Sequence, residues 1–404
     1  MSGHIPRAAR SLPGLWPTRE QFLVLQAALL PAEPARAAFE EWLKLIDLDD
    51  DFDPGTFRLL PMMYFNLREH GVVHPLMSRL KGVYRLTWYK NNKLFSDMGP
   101  VVKALHGAGI PIMLLKGVPL AQSYYRNVGL RPMADIDVLV PTSHAETAIE
   151  VMASFPYSRY AEPSPDFLKY RHAMQYKSAA QGEMDLHWHA LCECHQKGAD
   201  DFFWAKARPF LFNGVPCEIP DSTRMLFHTV IHGFRWNEDP PIRWVADAMV
   251  ILRESGREID WDALVQHAGE HGLGYRLRLG LGFLRECFFA PIPISVLSRL
   301  KHQGVSLVQR IENTYVLRDP AFLRSSPLGH LWIVFSDYCR FARKAKPIAF
   351  AVGFTHYLRF RWNLRGRSEI AGYISRGILK RIARLFQPAG AQVAEHRSNV
   401  DFGK

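Results

Sequence analysis

The feature that most constrains the fold is a short apolar segment that carries two carboxylates. Residues 135–140 (DIDVLV) alternate aspartates with β-branched and apolar side chains. Because a strand repeats every two residues, both aspartates lie on one face, with Ile136 and Val138 on the other. Two like charges about 4 Å apart repel by about 4 kcal/mol at an effective dielectric constant of about 20. A half-buried pair therefore needs a divalent cation, a shared proton or open water, and a strand end with hydrated acids is the plainer alternative.

A second alternating segment supplies a third carboxylate. Residues 183–190 (EMDLHWHA) place Asp185 and two histidines on one face and apolar side chains on the other. If this strand lies beside the first, we expect Asp185 opposite Asp135 and Asp137. Such an oxygen-rich cluster suits Mg²⁺ that is bound partly through substrate phosphates. Two ions about 4 Å apart could clamp an in-line displacement at phosphorus.

These motifs together resemble the bacterial uncharacterised nucleotidyltransferases, a branch of the DNA polymerase β-type nucleotidyltransferase superfamily. The superfamily pattern is a glycine-led turn, a strand with Asp-x-Asp and a later strand with a third acid. The matching segments here are residues 115–117 (LKG), 131–137 (RPMADID) and 185–188 (DLHW). The resemblance covers about residues 20 to 270. It departs from the superfamily at Val118, where a small residue usually lets backbone N–H groups approach the phosphates.

The resemblance implies transfer of a nucleoside monophosphate from an NTP to an acceptor, with release of pyrophosphate. Asp135, Asp137 and Asp185 would be the catalytic residues and would hold two Mg²⁺ ions. Asp185 would also bind the ion that activates the acceptor and could accept its proton. ATP is the default expectation for the nucleotide, and the acceptor is a small molecule, a sugar, a peptide or a protein. A catalytically inactive nucleotide-binding module is an alternative, and an enzyme that acts on nucleic acid is another.

The nucleotide-binding residues expected from the resemblance are Lys116, Gly117 and Arg131. Lys116 would place a point charge on the triphosphate and so compensate for Val118. Arg131 would contact a phosphate through its bidentate fork. The other interpretation of Arg131 is a loop arginine that pairs with Asp135.

Other groups of metal-ligating residues also have plainer interpretations. His187, His189, Cys192, Cys194 and His195 lie close together in the sequence. Strand alternation separates them from Cys192 onward, and no paired C-x-x-C spacing accompanies them, so we do not favour zinc here.

A later pair of histidines has the i, i+4 spacing of a metal pair on a helix. His228 is followed by threonine, where a zinc protease would need glutamate. By the resemblance, His228 and His232 line the acceptor side of the cleft together with His187, and a core hydrogen-bonding role is equally expected for the pair. Further along, Arg243, Trp244 and Asp247 form a helix face that closes on the nucleotide or, as we favour, Arg243 and Asp247 form a structural pair at i, i+4.

Composition indicates an ordinary globular protein. With 404 residues and 48% apolar content, the chain can bury a sizeable core in two or three domains. The early apolar run at residues 22–30 is short, contains glutamine and lacks a convincing cleavage site, so we expect no signal peptide. No apolar run approaches the roughly 20 residues that span a bilayer. Five cysteines form no disulfide framework and favour a reducing cytoplasm.

The net charge of +11 is concentrated near the C-terminus. Between residues 338 and 384, twelve lysines and arginines stand against one acid, Glu369, and twelve minus one equals the whole excess. Aromatic residues are interleaved with them, and residues 378–386 have an amphipathic helical period. In order of preference, the segment is a helical cap with solvated arginines, a peripheral contact with the inner membrane surface, or a nucleic-acid-binding tail.

The periodicity predicts an α+β protein, with a small mixed β-sheet, helices packed on it, and helical regions on both sides. The resemblance implies that this sheet is the nucleotidyltransferase core. Asp221 is a candidate helix start. We expect a loosely ordered N-terminus at 1–20, a helical region at 21–106, the catalytic core at 107–220, a helical region with the basic tail at 221–386, and a disordered end at 387–404.

Overall fold

The computed structural model describes residues 15–47, 52–159, 164–178, 182–196, 198–235, 241–305, 310, 327–342 and 346–385. The end predicted to be disordered lies outside these residues, as does most of the N-terminal stretch. Leu15 and Trp16 belong to that stretch and are buried, with Trp16 packed against Phe234 and Phe283. The chain forms two compact units, which meet in sequence between residues 320 and 321. The domain boundaries that we predicted after residues 20, 106, 220 and 386 are not tested by this division and stay predictions.

Helices α1 to α5 precede the sheet, and their bounds are Arg19–Leu29, Ala32–Leu43, Pro54–Phe57, Leu60–Glu69 and Leu76–Gly107. Helix α1 begins at a capping box, in which the Thr18 and Gln21 side chains each accept the other residue's backbone N–H. The long helix α5 buries one face and contacts strands β2, β5 and β7, whose bounds follow. It thereby supports the strands that carry the acids.

The sheet contains seven strands of the described chain, β1 to β7. Their bounds are Met113–Leu115, Asp135–Leu139, Ser158–Arg159, Ala173–Ser178, Gly182–His187, Arg208–Phe212 and Val215–Ile219. The spatial order is β3-β4-β5-β2-β1-β7-β6. The β2–β5 and β1–β7 pairs are parallel and the other pairs are antiparallel. This mixed sheet with helices packed on it confirms the predicted α+β class.

Strand β2 lies between β1 and β5, and the register fixes which acids meet. Asp137 stands opposite Leu115 of β1 and Asp185 of β5. Asp135 stands opposite Glu183, so Asp185 directly faces only one of the two earlier acids, in contrast to our expectation. Because β2 and β5 run parallel, their carboxyl ends lie at the same end of the sheet.

Shorter helices connect the strands. Helix α6 (Gly117–Pro119) runs into a π-helix (Leu120–Tyr124) between β1 and β2. Helix α7 (Ala145–Met152) follows a 3₁₀ turn (Thr142–His144), and α8 (Pro165–Tyr170) and α9 (Asp201–Trp204) flank β4 and β5 along the chain.

Helices α10 to α14 follow the sheet, with bounds Ser222–Gly233, Arg243–Ser255, Trp261–Glu270, Gly274–Phe288 and Ile294–His302; a 3₁₀ turn (Gly256–Glu258) lies between α11 and α12. The predicted helix start is confirmed, because the Asp221 side chain caps α10 by accepting the N–H of Arg224. Helix α10 is buried along most of its length and packs against α11 and α13. This arrangement carries α11 close to the loop before β2.

The second unit contains helices α15 (Pro327–Phe341), α16 (Pro347–Arg361) and α17 (Ser368–Leu385). Tyr338 joins α15 to α16, since its hydroxyl donates to the carbonyl of Phe350 at 3.0 Å. Trp362 and Tyr373 stack with ring centroids 4.5 Å apart, so several aromatic residues of the basic segment pack within the unit. None of the described helices is long and apolar enough to cross a membrane. The three interpretations of the basic segment stay predictions.

Candidate active site

Side chains from the ends of the two strands that flank β2 meet at the carboxylate of Asp137. This residue lies in the middle of β2 and is buried. The Nζ of Lys116, which follows β1, lies 2.5 Å from Asp137 Oδ1. The Nε2 of His187, the last residue of β5, lies 3.0 Å from the same oxygen. One carboxylate oxygen therefore has two nitrogen partners.

Asp185 supplies the second carboxylate of this cluster. One ligand atom each of Asp137, Asp185 and His187 lies within 4.8 Å of the others. The Oδ1 of Asp185 is buried and has no hydrogen-bond partner in the described part of the protein. Burial without a partner costs such an atom about 1–3 kcal/mol. A cation at this place would supply the missing partner, so the residues present fit a divalent metal ion.

The three acids differ in pKa. Burial, reinforced by the charge of Asp137, raises the pKa of Asp135 to about 6. Burial also opposes ionisation of Asp137, but the Lys116 charge and the His187 hydrogen bond outweigh it and hold the pKa of Asp137 below its ordinary value. Burial and the Asp137 charge raise the pKa of Asp185. Asp135 and Asp185 thus lack sufficient positive charge, which a bound cation would provide.

The turn after β1 has an unusual backbone. Lys116 has φ 48°, in the left-handed region that few non-glycine residues adopt. At Gly117, an added Cβ would lie 2.6 Å from Met133 Sδ and 3.2 Å from Arg131 Nη1. Glycine therefore permits the loop before β2 to pack directly over this turn.

Arg131 is held by a partner that the sequence did not suggest. It is 3% exposed, and its Nε and one Nη atom each lie 2.9 Å from an oxygen of Asp247 on α11. The Tyr125 hydroxyl donates to the same carboxylate at 2.9 Å. The alternative pairing of Arg131 with Asp135 is wrong, because the carboxylate that Arg131 binds, through Nε and one Nη atom, is that of Asp247. A phosphate contact from Arg131 stays an untested prediction.

Arg243 also has a different partner from the one that we favoured. The expected structural pair with Asp247 at i, i+4 is wrong, because Asp247 binds Arg131 while Arg243 donates to the carbonyl of Pro132 at 2.6 Å. Burial, reinforced by the charge of Arg131, lowers the pKa of Arg243 to about 10, so the side chain stays positive at neutral pH. The positive charge of Arg243 also opposes the rise in the pKa of Asp135.

Asn91 supports the site and carried no signal in the sequence. It lies on the buried face of α5 and is fully buried. Its Nδ2 donates to the carbonyls of Val128 at 2.6 Å and Arg131 at 2.8 Å. Its Oδ1 accepts the N–H of Met133 at 3.2 Å. A single amide therefore fixes the loop that leads into β2.

The remaining histidines have separate partners. His189 lies beyond the end of β5, with Nδ1 2.6 Å from Asp200 Oδ2. The buried His228 has Nε2 3.0 Å from the carbonyl of Ala190, which matches the core hydrogen-bonding interpretation. Burial lowers the pKa of His228 to about 3. His232 stacks on His228 with ring centroids 5.4 Å apart and is exposed. Whether these two contact an acceptor stays a prediction.

The cysteine- and histidine-containing segment after β5 forms no common ligand group within the described residues. His187 is directed to Asp137, whereas His189 is directed to Asp200. The groups of three or more ligating side chains in that part of the chain are Asp137, Asp185 and His187 in one place and His267, Glu270 and His271 in another.

The fold and the acid cluster define a nucleotidyltransferase-like protein, and comparison with known families agrees. The family described as uncharacterised nucleotidyltransferase matches residues 56–289, which is more than half of the chain. The chain therefore belongs to this family, and the resemblance inferred from its motifs is confirmed.

Comparisons with curated proteins and with solved structures give no evidence about activity. No curated protein matches the sequence. Among solved structures, the chain is similar to the crystal structure of an antigenic nucleotidyltransferase-like protein from Paracoccidioides brasiliensis, with 12% identity over 53% of this chain and 95% of that one. The TM-score is 0.34, and a similarity of this strength carries no argument about activity.

Proposed function

We propose that this protein transfers a nucleoside monophosphate from an NTP to an acceptor nucleophile and releases pyrophosphate, with the help of a divalent metal ion. Membership of the family supports nucleotidyl transfer in general. The observation that supports the finer proposal is the cluster of Asp137, Asp185 and His187, with its buried, partnerless carboxylate oxygen. In the reaction, the acceptor oxygen bonds to the α-phosphorus while the bond to the bridging oxygen of the β-phosphate breaks.

Asp137 and Asp185 would hold the ion. Asp135, which lies on β2 with Asp137, would be a further ligand. Carboxylate oxygens suit Mg²⁺, whereas an imidazole nitrogen from His187 would favour Mn²⁺ or another transition metal. If His187 instead keeps its hydrogen bond to Asp137, it orients that ligand from behind. A bound ion would neutralise phosphate charge and favour ionisation of the acceptor.

The chain's own residues would supply positioning and proton transfer. Asp185 would lie beside the ion that activates the acceptor and could accept the acceptor's proton. Lys116 is held over the cluster by the turn after β1 and would contact the triphosphate. Arg243 is a better candidate for a second phosphate contact than Arg131, because Asp247 neutralises Arg131 through two of its guanidinium nitrogens, whereas Arg243 donates to the uncharged carbonyl of Pro132. Arg131 would then act as a positioning residue.

The test is pyrophosphate release with each of the four NTPs, ATP first, in Mg²⁺ or Mn²⁺, with cell extract as the source of acceptor. We expect Asp137→Asn and Asp185→Asn each to lower the rate at least about 100-fold. Glu183→Gln is the matched control, because it removes a neighbouring β5 carboxylate whose oxygen lies 3.4 Å from Lys177 Nζ. It should keep most of the activity.

Unfolding curves separate loss of chemistry from loss of structure, and Asp185→Asn should melt close to the wild type because its carboxylate has an unpartnered oxygen. Near-normal release by Asp137→Asn in the presence of the metal would contradict the proposal. Release that is equal in all three variants would point to a contaminating activity.

A further inference from the structure

We propose a second metal site, apart from the nucleotidyltransferase cluster, at the C-terminal end of α12. Its ligands are His267, Glu270 and His271, and its ion is a transition metal such as Zn²⁺. One ligand atom from each of these residues lies within 4.8 Å of the others. Two imidazoles and one carboxylate form a donor set that suits Zn²⁺ and disfavours Mg²⁺.

Helical geometry explains why the three side chains converge. Residues at i, i+3 and i+4 occupy the same side of a helix. Glu270 is the last residue of α12, and His271 follows as its C-cap. The N–H of His271 still bonds to the carbonyl of His267 at 3.2 Å, so the helical turn continues through it.

His267 is the buried ligand of the site. It is 5% exposed, and its Nε2 has no hydrogen-bond partner in the described part of the chain. Its ring stacks on Phe202 with centroids 3.8 Å apart and lies edge-on to Phe227 at 4.9 Å. The aromatic contacts fix the ring, and a buried nitrogen without a partner is costly. Burial lowers the pKa of His267 to about 3, so the ring is neutral and ready to bind a metal at neutral pH.

The other two ligands are oriented from outside. The Nδ1–H of His271 donates to Gln196 Oε1 at 3.1 Å, and in a neutral imidazole this leaves the lone pair on Nε2. Such a hydrogen bond behind a ligating histidine is the usual way in which proteins fix its tautomer. The exposed Glu270 accepts from Gln266 at 2.9 Å. Because Gln196 belongs to the segment after β5, the ion would tie the end of α12 to that segment.

The experiment measures Co²⁺ and Zn²⁺ binding to untagged, full-length protein by visible absorption and calorimetry. The double variant Asp137→Asn/Asp185→Asn serves as the background, since it removes the carboxylates of the other cluster. We expect this background to bind one equivalent of metal and to show the d–d absorption bands of low-coordinate Co²⁺. His271→Gln or Glu270→Gln, added to the background, should weaken binding at least tenfold.

His106→Gln is the matched control, because His106 is an exposed histidine in the last turn of α5. It should leave the affinity unchanged. Zn²⁺ should also raise the Tm of the background and of the control, but not that of His271→Gln. Both substituted ligands lie at the surface end of the site, so the test does not depend on replacing the buried His267.

Absence of stoichiometric binding in the background would overturn the site, and so would equal binding by His271→Gln and the control. Neither result depends on nucleotidyl transfer, because no nucleotide is present. Failure of this site and failure of the proposed activity are therefore distinguishable.

Discussion

Two groups of buried charges in the first unit differ in how those charges are compensated. Arg131 and Asp247 share two hydrogen bonds of 2.9 Å, and Tyr125 adds a third. Asp137 and Asp185 face each other across the β2–β5 pairing, and one oxygen of Asp185 lacks a partner among the described residues. A buried charge is costly unless it is paired. The first group is compensated by the chain's own residues, whereas under the proposed function a bound cation would complete the second.

The comparison predicts opposite effects on stability, and the largest lies in the complete group. Asp247→Ala leaves the guanidinium of Arg131 buried without its partner, so we expect the free energy of unfolding to fall by about 3–5 kcal/mol. Asp185→Asn should instead raise it by at most about 1 kcal/mol, because burial and the Asp137 charge make the ionised form of Asp185 unfavourable in the folded protein. Urea denaturation followed by circular dichroism measures both.

A double variant distinguishes a lost pair from a lost contact. Arg131→Met/Asp247→Leu removes both charges and leaves neither one unpaired, so it should be more stable than Asp247→Ala alone. The exposed pair of Lys93 and Asp97 provides a control, since breaking it by Asp97→Asn should cost at most about 1 kcal/mol. Equal destabilisation by Asp247→Ala and Asp97→Asn would mean that the buried Arg131–Asp247 pair contributes no more to the free energy of unfolding than an exposed pair does.

The next largest effect on stability concerns the loop that connects Arg131 to the acids of β2. Asn91 fixes the loop that carries Arg131 toward β2, and Asn91→Ala removes its three hydrogen bonds. We expect a loss of about 2 kcal/mol of stability. Pyrophosphate release should fall as well, because the β2 acids lose their support. The neighbouring Asn92 is exposed, so Asn92→Ala should change neither quantity measurably. If Asn91→Ala and Asn92→Ala have the same stability and the same rate of pyrophosphate release, Asn91 does not position the site.

The acids of the site could be predicted from the sequence because their signal is local. The period of two in residues 135–140 and 183–187 identifies the strands and places Asp137 and Asp185 on polar faces. The exact register could not be predicted, since it depends on pairing between strands that are about 50 residues apart. Strand β5 also ends at His187, and the alternation expected to continue through His189 gives way to a hydrogen bond with Asp200.

The supporting residues could not be predicted, because their partners are distant in the chain. Arg131 and Asp247 are separated by 116 positions, and Asn91 reaches residues 37 to 42 positions away. A pairing at i, i+4 was the nearest local explanation for Arg243 and Asp247, and tertiary packing overrode it. The acids that face one another could be recognised from the sequence, and they indicated function. The partners that neutralise the buried charges of Arg131 and Asp247 became visible only in the structure.

The smallest expected effect tests the incomplete group through pH. The pKa of Asp135 is raised from 3.8 to about 6, so between these pH values the folded protein binds more protons at this residue than the unfolded chain does. Its contribution therefore lowers stability as pH rises from about 4 to 6, and the full penalty remains at pH 7. Asp135→Asn should raise the free energy of unfolding at pH 7 by about 1–2 kcal/mol and leave it unchanged near pH 3. Denaturation curves at both pH values, without metal, measure the difference. If the variant is equally stable or less stable at pH 7, Asp135 is compensated within the chain, and the contrast with the Arg131 pair would be limited to Asp185.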